Sequence, residues 1–217
     1  MGYLHIRNLS SKDNVILLFK HCYALEKAHG TSSNLTWSNG RLSYFAGGEK
    51  HDNFVKCFDH DKLVAHFTAL GQDRVTIFGE AYGGKQQGMK DTYGPTLCFI
   101  AFDVKIGDSW LRVPKAAKIV EDFGLEFVPW RMVSTDLAEL DFERDRPSEI
   151  AMRRGMGDNK KREGVVLRPL EEMTLNNGER VILKHKGSDF QERKTPQRPD
   201  DPERLAILEN AEAIVDE

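Results

Sequence analysis

No apolar run in this chain approaches the length of a membrane span, and its first residues lack the basic-then-apolar pattern of a secretory leader. Met1-Gly2 is followed by Ile6 where an N-myristoylation signal needs Ser or Thr, so that anchor fails as well. Cysteine is scarce. Cys22, Cys57 and Cys98 are widely spaced with no CxxC, which argues against a disulfide framework and gives no zinc-ligand spacing. These absences predict an intracellular, cytoplasmic protein with no membrane partner, and do not separate a phage product from a host one. Internal repeats are absent too. With 217 residues, 40% of them apolar and 9% aromatic, the chain fits one globular domain, or one domain with an appendage.

A net charge of −3 argues against a generally basic nucleic-acid binder, but the average hides an asymmetry. Residues 153–198 hold twelve Lys/Arg and seven Asp/Glu, a balance of +5, so the remainder carries −8. A basic segment on an acidic body suits local phosphate contact. The competing use of Lys160-Lys161-Arg162 is a solvated loop.

Turn and periodicity signals place the elements. Cys22–Glu26 reads as a short strand delivering Lys27. Asn39-Gly40 between Leu35-Thr36-Trp37 and Leu42-Ser43-Tyr44-Phe45 is a hairpin signal. Phe54, Phe58, Leu63, Phe67 and Leu70 predict one helix or two short ones over 52–70, stopped at Gly71. Val75–Phe78 and Leu97–Phe102 are β-rich runs joined by a Gly-rich loop at 83–94. Pro114 opens a helix through Phe123, closed by Gly124. A strand follows over Leu125–Val133, then a charged, irregular stretch over 134–162 with one helix near 136–142. Glu163–Leu167 and Arg180–Lys186 are strands, the second entered through a turn at Asn176-Asn177-Gly178. Residues 1–190 are therefore one domain. The rest, 191–217, is a proline-rich, charged linker and a C-terminal helix packing on the same domain through Leu205, Leu208 and Ile214. Strands mixed irregularly with helices predict an α+β fold, mainly antiparallel sheets with flanking helices.

Five short segments stand in one order: Lys27-Ala28-His29-Gly30, Phe78-Gly79-Glu80, Phe102-Asp103, Glu163-Gly164-Val165-Val166 and Lys184-His185-Lys186. Each is weak alone, since Lys85-Gln86-Gln87-Gly88 also fits KxxG, but independent weak matches multiply. Together they resemble nucleotidyltransferase motifs I, III, IIIa, IV and V of the covalent ligase and mRNA-capping superfamily. His two residues after the lysine resembles the RNA ligase branch, the phage RNA ligase 2 type and its trypanosome editing relatives, where DNA ligases usually carry KxDG. The resemblance covers about residues 22–192. It implies two packed antiparallel sheets with ATP between them, and ATP and Mg2+ (or Mn2+) as cofactors. The reaction it implies joins RNA 5′-phosphate and 3′-hydroxyl ends through lysyl-AMP.

The resemblance assigns roles that residue chemistry supports. Lys27 is the nucleophile. An ordinary lysine amine, with pKa about 10.4, is mostly protonated at pH 7, and nearby cations and a metal lower that value. Lys184 and Lys186, at i and i+2 on a strand, face one phosphate region and complete the catalytic lysines. Glu26, His29 and Gly30 flank the nucleophile on the nucleotide side. Gly30 lets the chain turn close to the phosphates, and His29 can touch pyrophosphate or the metal. Glu80 accepts from ribose hydroxyls. Phe102 offers a ring to adenine, although the apolar run 97–102 equally suits core packing. Glu163 holds the metal through oxygen or water, Arg168 adds charge to the nucleotide site, and Asp103 has a supporting or structural role.

Two departures stand out. The stretch where relatives carry a motif Ia arginine reads Leu42-Ser43-Tyr44-Phe45-Ala46-Gly47-Gly48, leaving Arg41 or Lys50 as stand-ins. Position 168 is Arg where the RNA ligase 2 type more often has Lys, which exchanges a point charge for a planar fork. Weak 3′-end handling would call for a protein partner supplying RNA docking. The alternatives are a DNA ligase, a capping-type nucleotidyltransferase, or a catalytically degenerate RNA- or nucleotide-binding module. KxHG weighs against the first, lack of a C-terminal barrel domain against the first two, and retention of Lys27, Glu163 and Lys184 against the third. The 26 residues before Lys27 are too few for the extra domain of NAD-dependent ligases.

Overall fold

The computed structural model of the protein describes residues 2–10 and 14–190. After a two-residue strand, β1 (Arg7–Asn8), comes β2 (His21–Glu26), whose end delivers Lys27; the chain then passes Gly30 into β3 (Thr31–Ser38). Asn39 (φ 50°) and Gly40 (φ 75°) supply the positive angles of a tight hairpin turn, and β4 (Arg41–Ala46) returns antiparallel. The apolar pattern over 52–70 forms two helices, α1 (His51–Val55) and α2 (His60–Leu70). Asp59 sets their boundary. Its carboxylate accepts from the Lys62 amide at 3.1 Å to cap α2, and Gly71 in the left-handed region ends it.

β5 (Arg74–Tyr82) continues into the glycine-containing loop, which holds the short helix α3 (Lys90–Tyr93), and returns as β6 (Cys98–Ile106) and β7 (Ser109–Trp110). Pro114 in the first turn opens α4 (Val113–Asp122), with Gly124 just past its end. The strand expected over 125–133 is shorter, β8 (Trp130–Ser134). Upstream of it, the Ala101 amide donates to Glu126 O at 2.8 Å and the Val128 amide to Ala101 O at 2.9 Å, and Pro129 has no amide with which to extend a ladder.

The stretch expected to be irregular with one helix holds two, α5 (Leu137–Asp145) and α6 (Glu149–Arg153). The chain then forms β9 (Gly164–Arg168) and β10 (Leu183–Lys186). The last strand starts later than expected because the Val181 amide is taken by Met173 O, across the 174–180 turn. The linker and C-terminal helix expected over 191–217 lie outside the described residues.

Two five-stranded sheets result. One runs β1-β10-β9-β2-β8, antiparallel except for the short β1–β10 pair; the other runs β4-β3-β5-β6-β7, antiparallel throughout. This is the expected α+β architecture with flanking helices. One apolar core gathers Leu35, Trp37, Ile77 and Val104 with Phe54, Phe67 and Val120 from the helices, and Trp37 stacks on Phe67 at 5.7 Å. A second gathers Ile16, Cys22, Ala24, Val133, Leu140, Val165, Leu167 and Leu183. All three cysteines are free thiols, and burial pushes Cys22 up to about 12. No helix among the described residues is long and apolar enough to cross a membrane.

Candidate active site

Lys27 leaves the end of β2 with its amide bonded to Gly164 O at 3.0 Å, so the backbone ties it to β9. Its Nζ lies 2.9 Å from Glu163 Oε2, which His29 Nδ1 also meets at 2.9 Å. Lys186 Nζ stands 3.1 Å from the other carboxylate oxygen. Burial alone would raise the Glu163 pKa, but the hydrogen bonds from His29 and Lys27 and the charge of Lys27 overcome it and hold the group at about 2. Gly164 makes the approach possible. Its φ is 149°, and a Cβ there would stand 2.1 Å from His185 O.

A cavity of about 280 Å³ opens beside this cluster, bordered by Lys27, Glu80, Phe102, Val166 and Lys184 among others. Side chains from both sheets meet there. Lys184 and Lys186 share one face of β10, as their spacing predicts. Gly30 admits the crossing of the chain over β5, since a Cβ would lie 2.2 Å from Ala81 O, and its amide donates to Glu80 Oε1 at 3.1 Å. The cavity and the Glu163 cluster beside it thus bring Lys27, His29, Gly30, Glu80, Phe102, Glu163, Lys184 and Lys186 together, with Glu26 and Arg168 also bordering the cavity.

Burial raises the Glu80 carboxyl from an ordinary 4.5 to about 7; the Lys27 charge opposes the shift and that of Glu163 adds to it. Ionisation is the costly state, so the stabilisation is fully present below pH 4.5 and is lost as pH rises through about 7. Glu80→Gln should therefore outlast the wild type at pH 8 by up to about 3 kcal/mol, about 5–10 °C in Tm, with little difference at pH 4. Melts of the ligand-free proteins at both pH values check this. An equal difference at both would remove ionisation as the cause.

Glu26 and Arg168, also expected on the nucleotide side, border the cavity, but their polar atoms are bonded to the protein. The Glu26 carboxylate is buried and accepts from Ser148 Oγ at 2.6 Å and from the Glu149 and Ile150 amides at 2.9 and 3.4 Å, with Arg162 at 3.7 Å. It accepts from the first two amides of α6 and so joins that helix to the end of β2, which delivers Lys27. Arg168 is equally occupied: Nη1 donates to Asp103 Oδ1 at 3.0 Å, Nη2 to Leu111 O at 2.6 Å and Nε to Glu172 at 3.0 Å. Asp103, which also receives Arg180 at 2.7 Å, is the structural centre of that network. Arg41 and Lys50 are exposed and neither borders the cavity.

Among the described residues, the basic segment reaches the site through Lys184, which borders the cavity, and Lys186, which meets Glu163, while other cations are committed elsewhere. Arg162, Arg168 and Arg180 are buried in ion pairs, Lys161 reaches Asp189 at 2.6 Å, and Arg154 reaches Glu126 at 2.9 Å. Residues that sequence reasoning missed are Tyr3 and Arg180. Tyr3 lines the cavity and donates from its hydroxyl to Asp103 at 2.6 Å. Its segment carries no periodic pattern that could have singled it out. A sharper signal was available for α6, where Pro147-Ser148-Glu149 is a helix-start sequence.

A lysine, a buried carboxylate and a second pair of lysines stand beside a cavity lined from both sheets, in a fold of the nucleotidyltransferase type. The family described as RNA ligase matches residues 20–186, and the chain belongs to that family. Similar solved structures include Naegleria gruberi RNA ligase with PPi, at 14% identity and a TM-score of 0.68, covering 88% of this chain and 57% of that one. An arginine-to-alanine variant of the same ligase with ATP and Mn matches at 15% identity and 0.67, with the same coverage. A lysine-to-methionine variant with AMP and Mn matches at 14% identity and 0.66, again with the same coverage. This chain thus spans a little over half the length of those ligases. No curated protein sequence matches it.

Proposed function

We propose that this chain is an ATP-dependent RNA ligase acting through lysyl-AMP, with residues 1–190 as its adenylylation domain. The observation that carries the reading is the convergence of Lys27, His29 and Lys186 on one buried carboxylate, Glu163, beside a cavity bordered by Glu80 and Phe102. First, the Lys27 amine, having lost a proton, attacks the α-phosphorus of ATP; a P–N bond forms as the P–O bond to pyrophosphate breaks. Next, an oxygen of an RNA 5′-phosphate attacks that phosphorus, the P–N bond breaks, and AMP caps the 5′ end as an anhydride. Finally, an RNA 3′-hydroxyl attacks the 5′-phosphorus, the phosphodiester forms and AMP leaves.

Lys184 and Lys186 hold phosphate charge, and His29 faces the departing pyrophosphate. Glu80 takes ribose hydroxyls and Phe102 stacks the adenine. The donor set suits Mg2+ or Mn2+: a single buried carboxylate leaves water and phosphate oxygens as the other ligands, as hard cations prefer. When bound, the ion would neutralise phosphate charge. Because Lys27 Nζ sits 2.9 Å from Glu163, that contact has to open before the amine can attack. The Naegleria ligase structures solved with ATP, AMP and PPi support an adenine nucleotide as the ligand.

Mass spectrometry after incubation with ATP and Mg2+ or Mn2+ tests it. One AMP adduct is expected on Lys27 and none on Lys27→Ala, and a parallel GTP arm separates a capping-type enzyme. Wild-type protein that starts free of AMP and takes none up with either metal would overturn the proposal.

A further inference from the structure

We propose that Tyr3 is a positioning residue for the nucleobase, fixing the orientation of the Phe102 ring from the N-terminal wall of the cavity. The inference rests on the reading of that cavity as an ATP site. Register between β5 and β6 passes from Phe78 opposite Asp103 to Gly79 opposite Ala101, so Phe102 is the extra residue of a β-bulge. A bulged residue has no cross-strand partner, and the regular pleat does not fix where its side chain points. The ring that would stack the base therefore takes its orientation from its neighbours.

Tyr3 is placed to supply it. Its ring meets Phe102 edge-on at 4.9 Å and 76°, and also touches Phe78 at 5.1 Å and Trp110 at 5.6 Å. Its hydroxyl donates to Asp103 Oδ2 at 2.6 Å and accepts from Arg180 Nη1 at 2.9 Å, while Arg180 lies 3.9 Å from the centroid of Trp110. Tyr3 thus grips both the bulged residue and the one after it. The following residues, Leu4, His5 and Ile6, continue the cavity wall. The far end of the segment is pinned where Arg7 and Asn8 pair with Leu183 and Lys184, and the Leu9 amide donates to Lys184 O at 2.8 Å. This short span ties the expected base-stacking strand of one sheet to the expected phosphate-binding strand of the other.

A contact that orients the stacking ring affects nucleoside binding and leaves phosphate binding alone. Single-turnover labelling of Lys27 across ATP concentrations, with calorimetric binding of inorganic pyrophosphate, separates the two. For Tyr3→Leu we expect half-saturating ATP to rise about tenfold, the scale of a lost edge-to-face contact. The maximal labelling rate and pyrophosphate affinity should stay within about twofold of wild type, a difference too small to signal a lost polar contact. Tyr3→Phe keeps the ring and loses only the hydroxyl, so its half-saturation should fall between the two.

Equal losses of ATP and pyrophosphate binding in Tyr3→Leu would mean general damage and overturn the inference, as would a lower maximal rate at unchanged half-saturation. If Tyr3→Leu does not fold, Tyr3→Phe decides alone, and wild-type half-saturation there overturns it. Wild-type protein that is never labelled overturns the ATP-site reading itself. Labelled wild type with unaltered Tyr3 variants overturns only the role of Tyr3.

Discussion

Glu163→Ala is expected to slow transfer of AMP to Lys27 by about 10²–10³, the usual cost of removing a preorganised electrostatic contact from a reacting phosphate. The substitution takes away the shared counter-charge of Lys27, His29 and Lys186 and the carboxylate proposed for the metal. The fold should survive, because the Lys27 and Lys186 side chains are 24% and 13% exposed and can turn to water in the cavity. Glu163→Gln separates charge from shape: it keeps the hydrogen-bonding outline and should be nearly as slow. Lys184→Ala should be strongly impaired as well, for want of phosphate charge. Rates of label incorporation, with melts to show folding, give the measurement. Near-normal labelling by Glu163→Ala or Glu163→Gln would take this carboxylate out of the site.

The low pKa of Glu163 adds a control. A folded value of about 2 against an ordinary 4.5 means that its stabilisation is present above pH 4.5 and is lost as pH falls through about 2. Over a working range of pH 6–9 it stays ionised. Any pH dependence of labelling in that range has to come from another group, and Glu80, pushed up to about 7, is the one to examine through Glu80→Gln.

How much of this was legible in the sequence follows the range of the signals. Asn39-Gly40, Gly71, Pro114 and Gly124 act on their own backbones, so the turns and helix ends they announce are where they should be. The ordered motif residues also come together, around one cavity and one buried carboxylate, although long stretches of chain separate them. Partner choice was not legible. Nothing local says that Arg168 and Arg180 both seek Asp103, or that Glu26 caps a helix starting more than a hundred residues later. Charge counted along the chain therefore does not show which cations are paired away from the cavity. β1 and the Tyr3 wall were missed for a related reason: two residues of strand are too few to carry a period, and only pairing with β10 defines them.

The same ion pairs shape what to expect of end joining. Self-adenylylation needs ATP and the cavity, whereas sealing also needs a grip on RNA phosphates. Two features limit that grip. The stretch Leu42–Gly48 carries no cation, with Arg41 and Lys50 away from the cavity. Among the described residues of the basic segment, the side chains of Arg162, Arg168 and Arg180 are buried against carboxylates and Lys161 and Arg154 are paired, while Lys184 and Lys186 stand at the ATP cavity and its carboxylate. The chain alone should therefore label itself readily and seal RNA slowly, or only with a partner that supplies phosphate contacts. Each phosphate contact it does make contributes a slope of about 0.7–0.9 in log affinity against log salt. Sealing should fall steeply between low and moderate ionic strength while labelling changes little. Both activities are measured on nicked RNA duplexes and on single strands across that range. Fast, salt-insensitive sealing by the 217-residue chain would show that its hold on RNA is complete and lies outside the ion-paired segment.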